Sequence, residues 1–148
     1  MVDKERIARL LNGYRDEIRA NSPKSLAIWQ KNRTVMPAGV GSVFRLADPF
    51  PKVIKRASGA RVWDADDNEY LDFMLGFSVM ILGNAPDEVQ AAIREALPGG
   101  THYGQCHERE YAFAKLFCDM VPGVEKVTFC NSGTEATMYA LRLARATT

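Results

Sequence analysis

Apolar residues three and four apart open the chain. Ile7, Leu10, Leu11, Tyr14 and Ile18 line one face, with Arg6, Arg9, Asp16 and Arg19 mostly on the other. This spacing predicts an amphipathic helix that packs one stripe on something. Ser22-Pro23 has the form of an N-cap followed by a first-turn proline, and predicts a second short helix through Leu26, Ile28 and Trp29. Residues 36–42 are rich in Pro and Gly and read as a loop. The pattern then shortens. Residues 52–56, 60–64 and 69–73 read as three strands, separated by Ser58-Gly59 and by a polar turn ending at Asn68, in an antiparallel meander. An apolar run at 77–82 breaks at Gly83-Asn84. Asp87 and Glu88 then start a helix with Val89, Ile93 and Leu97 on one face, stopped by Pro98-Gly99-Gly100. A further helix spans 108–120, with Tyr111, Ala114, Leu116 and Phe117 apolar, and Pro122-Gly123 ends it.

The last part of the chain changes character. Val127, Thr128, Phe129 and Cys130 predict a short buried strand, Asn131-Ser132-Gly133 breaks it, and a helix follows from Thr134 through Met138, Leu141 and Ala144 to Arg145. The strand is apolar throughout, as in a sheet covered on both faces, yet the chain offers no parallel strand to pair beside it. A strand, a tight turn and a helix N-terminus together make an anion site. The first backbone N–H groups of a helix have no intrahelical partner, and its dipole favours negative charge there. Gly133 lets a phosphate approach the backbone, while Ser132 and Thr134 add hydroxyl donors. The same residues also fit a capping box, with Ser132 as N-cap and Glu135 reaching back to it. Pattern alone leaves both readings open.

Composition narrows the classes. The 148 residues suffice for one domain with a real core, and an apolar fraction of 47% with 25% charged is ordinary for a soluble globular protein. A net charge of +1 with no basic stripe suggests neither nucleic acid nor an anionic membrane surface as partner. No apolar run approaches the roughly 20 residues that span a bilayer. The charged N-terminus is no signal peptide. Cys106, Cys118 and Cys130 are an odd set at wide spacing, read as reduced thiols of a cytoplasmic protein.

Two metal readings fail on spacing. Asp64, Asp66 and Asn68 alternate as in a calcium loop, but Glu69 and Leu75 stand where such a loop needs Gly and Glu. His102, Cys106 and His107 have no fourth zinc partner at a recognised spacing. No metal site is expected.

The segment from Phe129 through Ser132-Gly133-Thr134-Glu135 to Ala136, with the Leu141-to-Arg145 helix, resembles the phosphate-binding region of class III (ω-amino-acid type) aminotransferases. Three other stretches agree in order and spacing: residues 36–42 with Arg45, residues 63–73, and residues 80–83. The glutamate-1-semialdehyde 2,1-aminomutase branch is the most similar. The resemblance runs from about Met36 to the end. It implies an α/β fold, the N-terminal part of a fold-type I pyridoxal 5′-phosphate enzyme: N-terminal helices at 1–33, loop and β-meander at 34–73, and the opening of the large cofactor-binding domain at 74–148. It also implies a small amino-acid-type substrate and a homodimeric full-length enzyme. Ser132, Gly133 and Thr134 match the positions that hold the cofactor phosphate. Arg45 matches the position that binds the substrate carboxylate, and its guanidinium can fork onto one. Ser42 and Phe77 match substrate-channel positions.

There are departures. Phe77 stands where the aminomutase has tryptophan, Ser78-Val79 replaces Gly-Pro, and Asn84 replaces a usual histidine. The family's chemistry also needs a lysine that forms the Schiff base, an aspartate facing the pyridine nitrogen and an aromatic residue over the ring. No lysine here matches that context. The resemblance thus implies an N-terminal portion that carries the cradle without the reacting centre, inactive by itself and poorly soluble. Two other readings stay open: a non-catalytic module for a phosphorylated ligand, and a truncated remnant.

Overall fold

Asp3 Oδ1 accepts the Arg6 N–H at 3.0 Å and starts helix α1 (Lys4–Asn21) in the computed structural model, which describes residues 3–148. The chain divides into two units, Met1–Ala96 and Leu97–Thr148. The stripe expected on α1 forms as drawn, but Leu10 and Tyr14 remain 55% and 64% exposed. Helix α2 (Pro23–Asn32) begins at the expected Ser22-Pro23, with Ser22 at the N-cap position. Its cap comes from elsewhere. Asp66 accepts the N–H groups of Lys24 and Ser25 at 2.7 and 2.9 Å, across more than forty residues of sequence. Ser22 Oγ instead accepts from Lys52 Nζ at 3.4 Å, and Ser25 Oγ accepts the Val53 N–H at 3.3 Å. Both serines are fully buried, and both are satisfied.

Asp66 is carried to that position by an antiparallel meander in the order β1-β2-β3, formed by β1 (Ile54–Ser58), β2 (Arg61–Asp64) and β3 (Glu69–Leu71). Ile54 pairs with Asp64 but Arg56 with Trp63, so Lys55 is the extra residue of a bulge. The β2–β3 turn is organised by Asp64, whose side chain is wholly buried. Its Oδ1 accepts the N–H groups of Asp66 and Asn68, and its Oδ2 accepts from Asn68 Nδ2 and the Tyr70 hydroxyl, all within 2.9–3.0 Å. Burial opposes its charge, but these bonds, with Asn68 the foremost donor, hold its carboxyl below the usual value. The alternating acidic residues of this turn therefore serve protein donors.

Phe50, only 2% exposed, is the buried apolar centre of the first unit and stacks on Trp29 at 6.0 Å. Trp29 also fixes the Pro/Gly loop. Its Nε1 donates to the Ala38 carbonyl at 3.0 Å, and Gly39, at φ +74°, lies directly against the ring. A Cβ there would sit 2.7 Å from Arg33 Cγ and 2.8 Å from the indole, so only glycine fits.

After β3 residues 75–78 form a single turn, α3 (Leu75–Ser78), with φ of 48°, 58°, 63° and 69°. This is a left-handed turn, built largely from residues with side chains. Helix α4 (Asp87–Ala96) follows with its acidic first turn.

The second unit holds a 3-10 turn (Leu97–Gly99) and two helices, α5 (Glu108–Met120) and α6 (Gly133–Thr147). His107 caps α5: its Nδ1 accepts the Arg109 N–H, and Glu110 accepts the His107 N–H, each at 3.1 Å. Phe113 stacks on Phe129 at 5.1 Å. No residue of this unit is fully buried. The strand expected at 127–130 is a correction. Residues 124–130 carry no ladder, because no segment among the described residues pairs with them and a strand exists only through its neighbour's hydrogen bonds. Among the described residues, no helix is long and apolar enough to cross a membrane.

Candidate functional site

The loop pinned by Trp29 runs into a 3-10 turn (Val43–Arg45), which Ser42 starts by accepting the Arg45 N–H on its carbonyl at 3.0 Å. Arg45 ends the turn exposed, and its guanidinium makes no ion pair among the described residues. It opens onto a cavity of about 570 Å³ whose walls include Met36, Phe44, Met74 and Phe77. Phe44 and Phe77 meet edge to face, 6.3 Å apart at 68°. Lys52 also lines the cavity, but its ammonium is bound to the Tyr70 hydroxyl at 2.7 Å. The arrangement is an apolar pocket with one uncommitted cation, suited to a small carboxylate with an apolar body. Arg45 and Phe77 are thus brought together, whereas Ser42 shapes the turn and lies outside the cavity wall.

Phe77 reaches the cavity from the left-handed turn α3, which lies in a segment, residues 72–84, whose two ends are tied together. Asp72 Oδ1 accepts the N–H groups of Met74 and Leu75 at 2.9 and 3.0 Å, and its Oδ2 accepts from Asn84 Nδ2 at 2.7 Å. Asn84 in turn pairs with Gly59 in the β1–β2 turn through two backbone hydrogen bonds of 2.8 Å. The Asn84 donor, then the two N–H groups, hold the Asp72 carboxyl below its usual value.

The second unit carries the other group of expected site residues, Ser132, Gly133 and Thr134, at the start of α6. Ser132 Oγ accepts the Glu135 N–H at 3.2 Å, and Glu135 Oε2 accepts the Asn131 N–H at 2.7 Å and the Ser132 hydroxyl at 3.3 Å. A capping arrangement therefore forms, displaced by one residue, since Glu135 reaches Asn131 in place of the N-cap. It consumes one orphan donor of the helix. The N–H groups of Gly133 and Thr134 and the Thr134 hydroxyl have no partner among the described residues, and no atom lies within 4 Å of where a Gly133 Cβ would stand. Two backbone donors, a free hydroxyl and an open approach fit a phosphate. The capping and anion readings are compatible.

Residues 43–148 match the model of the class-III aminotransferase family. The chain belongs to that family. A glutamate-1-semialdehyde 2,1-aminomutase of Methanopyrus kandleri is 43% identical over 136 residues, which are 92% of this chain and 31% of that protein. Among solved structures, a β-phenylalanine aminotransferase from Variovorax paradoxus superposes with a TM-score of 0.88 at 31% identity, over 92% of this chain and 32% of that one. A glutamate-1-semialdehyde aminomutase from Pseudomonas aeruginosa gives a TM-score of 0.88 at 26% identity, over 97% of this chain and 32% of that one. A transaminase with PLP bound gives a TM-score of 0.82 at 35% identity, over 84% and 30%. The chain therefore has the fold of the N-terminal part of fold-type I transaminases and spans about a third of the length of these relatives.

In this class-III chain, the sequence points to Arg45, Phe77 and the α6 turn as candidates, but not to the pair that holds the loop carrying Phe77. Asp72 and Asn84 act through a bond between residues twelve apart, and no local motif marks such a pair. Asp72 does carry a weak local signal, an acidic residue just before a turn whose N–H groups it caps.

Proposed function

We propose that this chain supplies the cofactor-phosphate cradle and the substrate-carboxylate anchor of a pyridoxal-phosphate-dependent enzyme that transfers amino groups on small amino-acid-type substrates. The observation that carries the reading is the pair of unpartnered N–H groups at Gly133 and Thr134, opening a helix within the class-III region. Ser132 and Thr134 would hold the phosphate with those groups, and Arg45 would orient the substrate carboxylate, with Ser42 fixing the turn and Phe77 closing the apolar wall. Bound pyridoxal phosphate would supply an electron sink for the carbon that carries the amino group. The residues here bind and orient. None of them matches the family's proton-shuttling lysine, so the 148-residue chain is inactive without further polypeptide, and the complete enzyme is a homodimer in this reading. The likeness to both aminomutases and aminotransferases supports amino-group transfer and leaves the acceptor carbon open.

Calorimetric titration with pyridoxine 5′-phosphate tests the cradle, since this ligand has the same phosphate but no aldehyde for surface lysines to trap. Saturable binding is expected. Thr134→Val should weaken it about tenfold, or about 1.4 kcal/mol, through the loss of one hydroxyl donor to an anion. Absence of binding, or a preference for inorganic phosphate, would overturn the cradle. Pyridoxal-phosphate-dependent turnover by the chain alone would overturn its assignment as an inactive portion.

A further inference from the structure

The left-handed turn α3 is costly for most of its own residues. Leu75, Phe77 and Ser78 all adopt φ between 48° and 69°, a region that residues with a Cβ avoid. The turn persists because its surroundings impose it. Its first two N–H groups, from Met74 and Leu75, both end on Asp72 Oδ1. The Ser78 N–H closes onto the Met74 carbonyl at 3.1 Å and the Met80 N–H onto the Leu75 carbonyl at 2.9 Å. The segment then returns to its starting point, where Asn84 Nδ2 donates to Asp72 Oδ2 at 2.7 Å and to the Gly59 carbonyl at 3.2 Å. The Asp72 N–H is itself anchored on the Ala60 carbonyl at 2.8 Å. Gly83, at φ +84°, allows this closure, because a Cβ there would lie 3.2 Å from the Gly59 backbone. The whole of 72–84 is thus a loop whose two ends are bolted to the β1–β2 turn, and its projecting side chain, Phe77, walls the cavity that holds Arg45.

We propose that Asp72 and Asn84 are positioning residues for the substrate pocket: their mutual hydrogen bond holds α3 left-handed and so sets Phe77 against Phe44 beside Arg45. Neither side chain lines the pocket. Their effect on a ligand passes through Phe77 and through Met74, which also lines the pocket and whose N–H Asp72 accepts. The functional half of this inference rests on the reading of Arg45 as a carboxylate anchor.

The test uses the 148-residue chain labelled throughout with 4-fluorophenylalanine, the Phe77 fluorine line being assigned by its loss in Phe77→Leu. The probe is 3-phenylpropionate, a carboxylate with an apolar body. In the wild type the Phe77 line should stand apart from its unfolded position and move on titration. Asp72→Asn sets two amide donors face to face, and Asn84→Ala removes the donor. In each variant the Phe77 line should move to its unfolded position and the dissociation constant should rise about tenfold, while the Trp63 indole N–H signal stays dispersed. The exchanged pair Asp72→Asn with Asn84→Asp restores a donor and an acceptor and should recover most of both. A Phe77 line unmoved in both single variants overturns the proposal. So does loss of the Trp63 signal together with that of Phe77, which would make the pair a general stabiliser. If the variants move Phe77 as expected but Arg45→Gln leaves the 3-phenylpropionate affinity unchanged, the positioning role stands and the carboxylate reading falls.

Discussion

Glu135 accepts the Asn131 N–H at 2.7 Å and so fixes the turn into α6, but its carboxylate also sets a negative charge beside the free N–H groups of Gly133 and Thr134. The charge suits the helix dipole and opposes an incoming phosphate. An exposed unit charge at contact range is worth about 1 kcal/mol in water, roughly a fivefold change in affinity. Glu135→Gln keeps an oxygen for Asn131 and removes the charge, so it should tighten pyridoxine 5′-phosphate binding about fivefold at low salt, with the gain shrinking as ionic strength rises. Calorimetry at two salt concentrations checks this; a weaker or unchanged affinity would mean that the cap geometry outweighs the charge. Asp64 and Asp66 allow a second residue-scale expectation. Burial works against the charge of each, yet the Asn68, Tyr70 and backbone donors on Asp64 and the Lys24 and Ser25 donors on Asp66 hold both carboxyls below the ordinary value. The folded chain therefore binds these protons less tightly than the unfolded chain. Their stabilisation is complete above the unfolded value of about 3.9 and is lost as pH falls from there through the lower folded values. Removing the cap by Asp66→Ala should cost about 1–2 kcal/mol at neutral pH. Urea melts followed by tryptophan fluorescence should show the gap between variant and wild type closing as pH falls below that range.

At the scale of elements, helices were legible where their ends carry their own chemistry, and less so where a distant group finishes them. Helix α5 runs over the expected 108–120 because Glu110, Pro122 and Gly123 lie next to its ends in sequence. Helix α2 was placed by Ser22-Pro23, but its cap is Asp66, and nothing near Pro23 foretells an acceptor delivered by a hairpin turn. The apolar segment at 127–130 shows the same limit more sharply, since residue type can favour a strand but only a neighbour can make one. Handedness was not legible at all in α3. Left-handed backbone costs roughly 1–2 kcal/mol for each of Leu75, Phe77 and Ser78, and the Met74, Leu75 and Asn84 donors that meet on Asp72 act against that cost. The Pro/Gly loop, by contrast, was readable as a loop, and Gly39 is the residue that docks it. Gly39→Ala forces a Cβ into the 2.7–2.8 Å gap against Arg33 and Trp29 at positive φ, for an expected loss of roughly 2–3 kcal/mol. Thermal unfolding should register this directly. The Trp29 indole N–H should also lose its bonded chemical shift, because the Ala38 carbonyl can no longer sit over it.

The whole molecule exposes 12484 Å², whereas a folded monomer of this mass exposes about 7,500 Å². Large apolar side chains are among the exposed ones: Leu10 and Tyr14 on α1, Tyr111 and Met120 on α5, and Leu141 and Leu143 on α6 are all more than half exposed. Burial is concentrated instead around Phe50, Asp64 and the two buried serines, Ser22 and Ser25, where the meander meets α2. Local stability follows burial, because an amide exchanges through whichever opening uncovers the least apolar surface. In the first unit, opening β1–β2 must break the ladder together with the Asp64 bonds of the β2–β3 turn and the Asp66 bonds to α2. In the second unit, α5 and α6 have no buried residue to uncover, and isolated helices of this length are marginal in water. Native-state hydrogen exchange should therefore separate the two units. Amides of β2 and of the first turn of α2 should be protected by at least a hundredfold more than those in the middle of α5 and α6. The contrast should persist at every concentration at which the chain stays monomeric. Equal protection across the two units would show that the apolar stripes of α5 and α6 find cover within this chain. Protection in α5 and α6 that rises with concentration would show that another copy covers them.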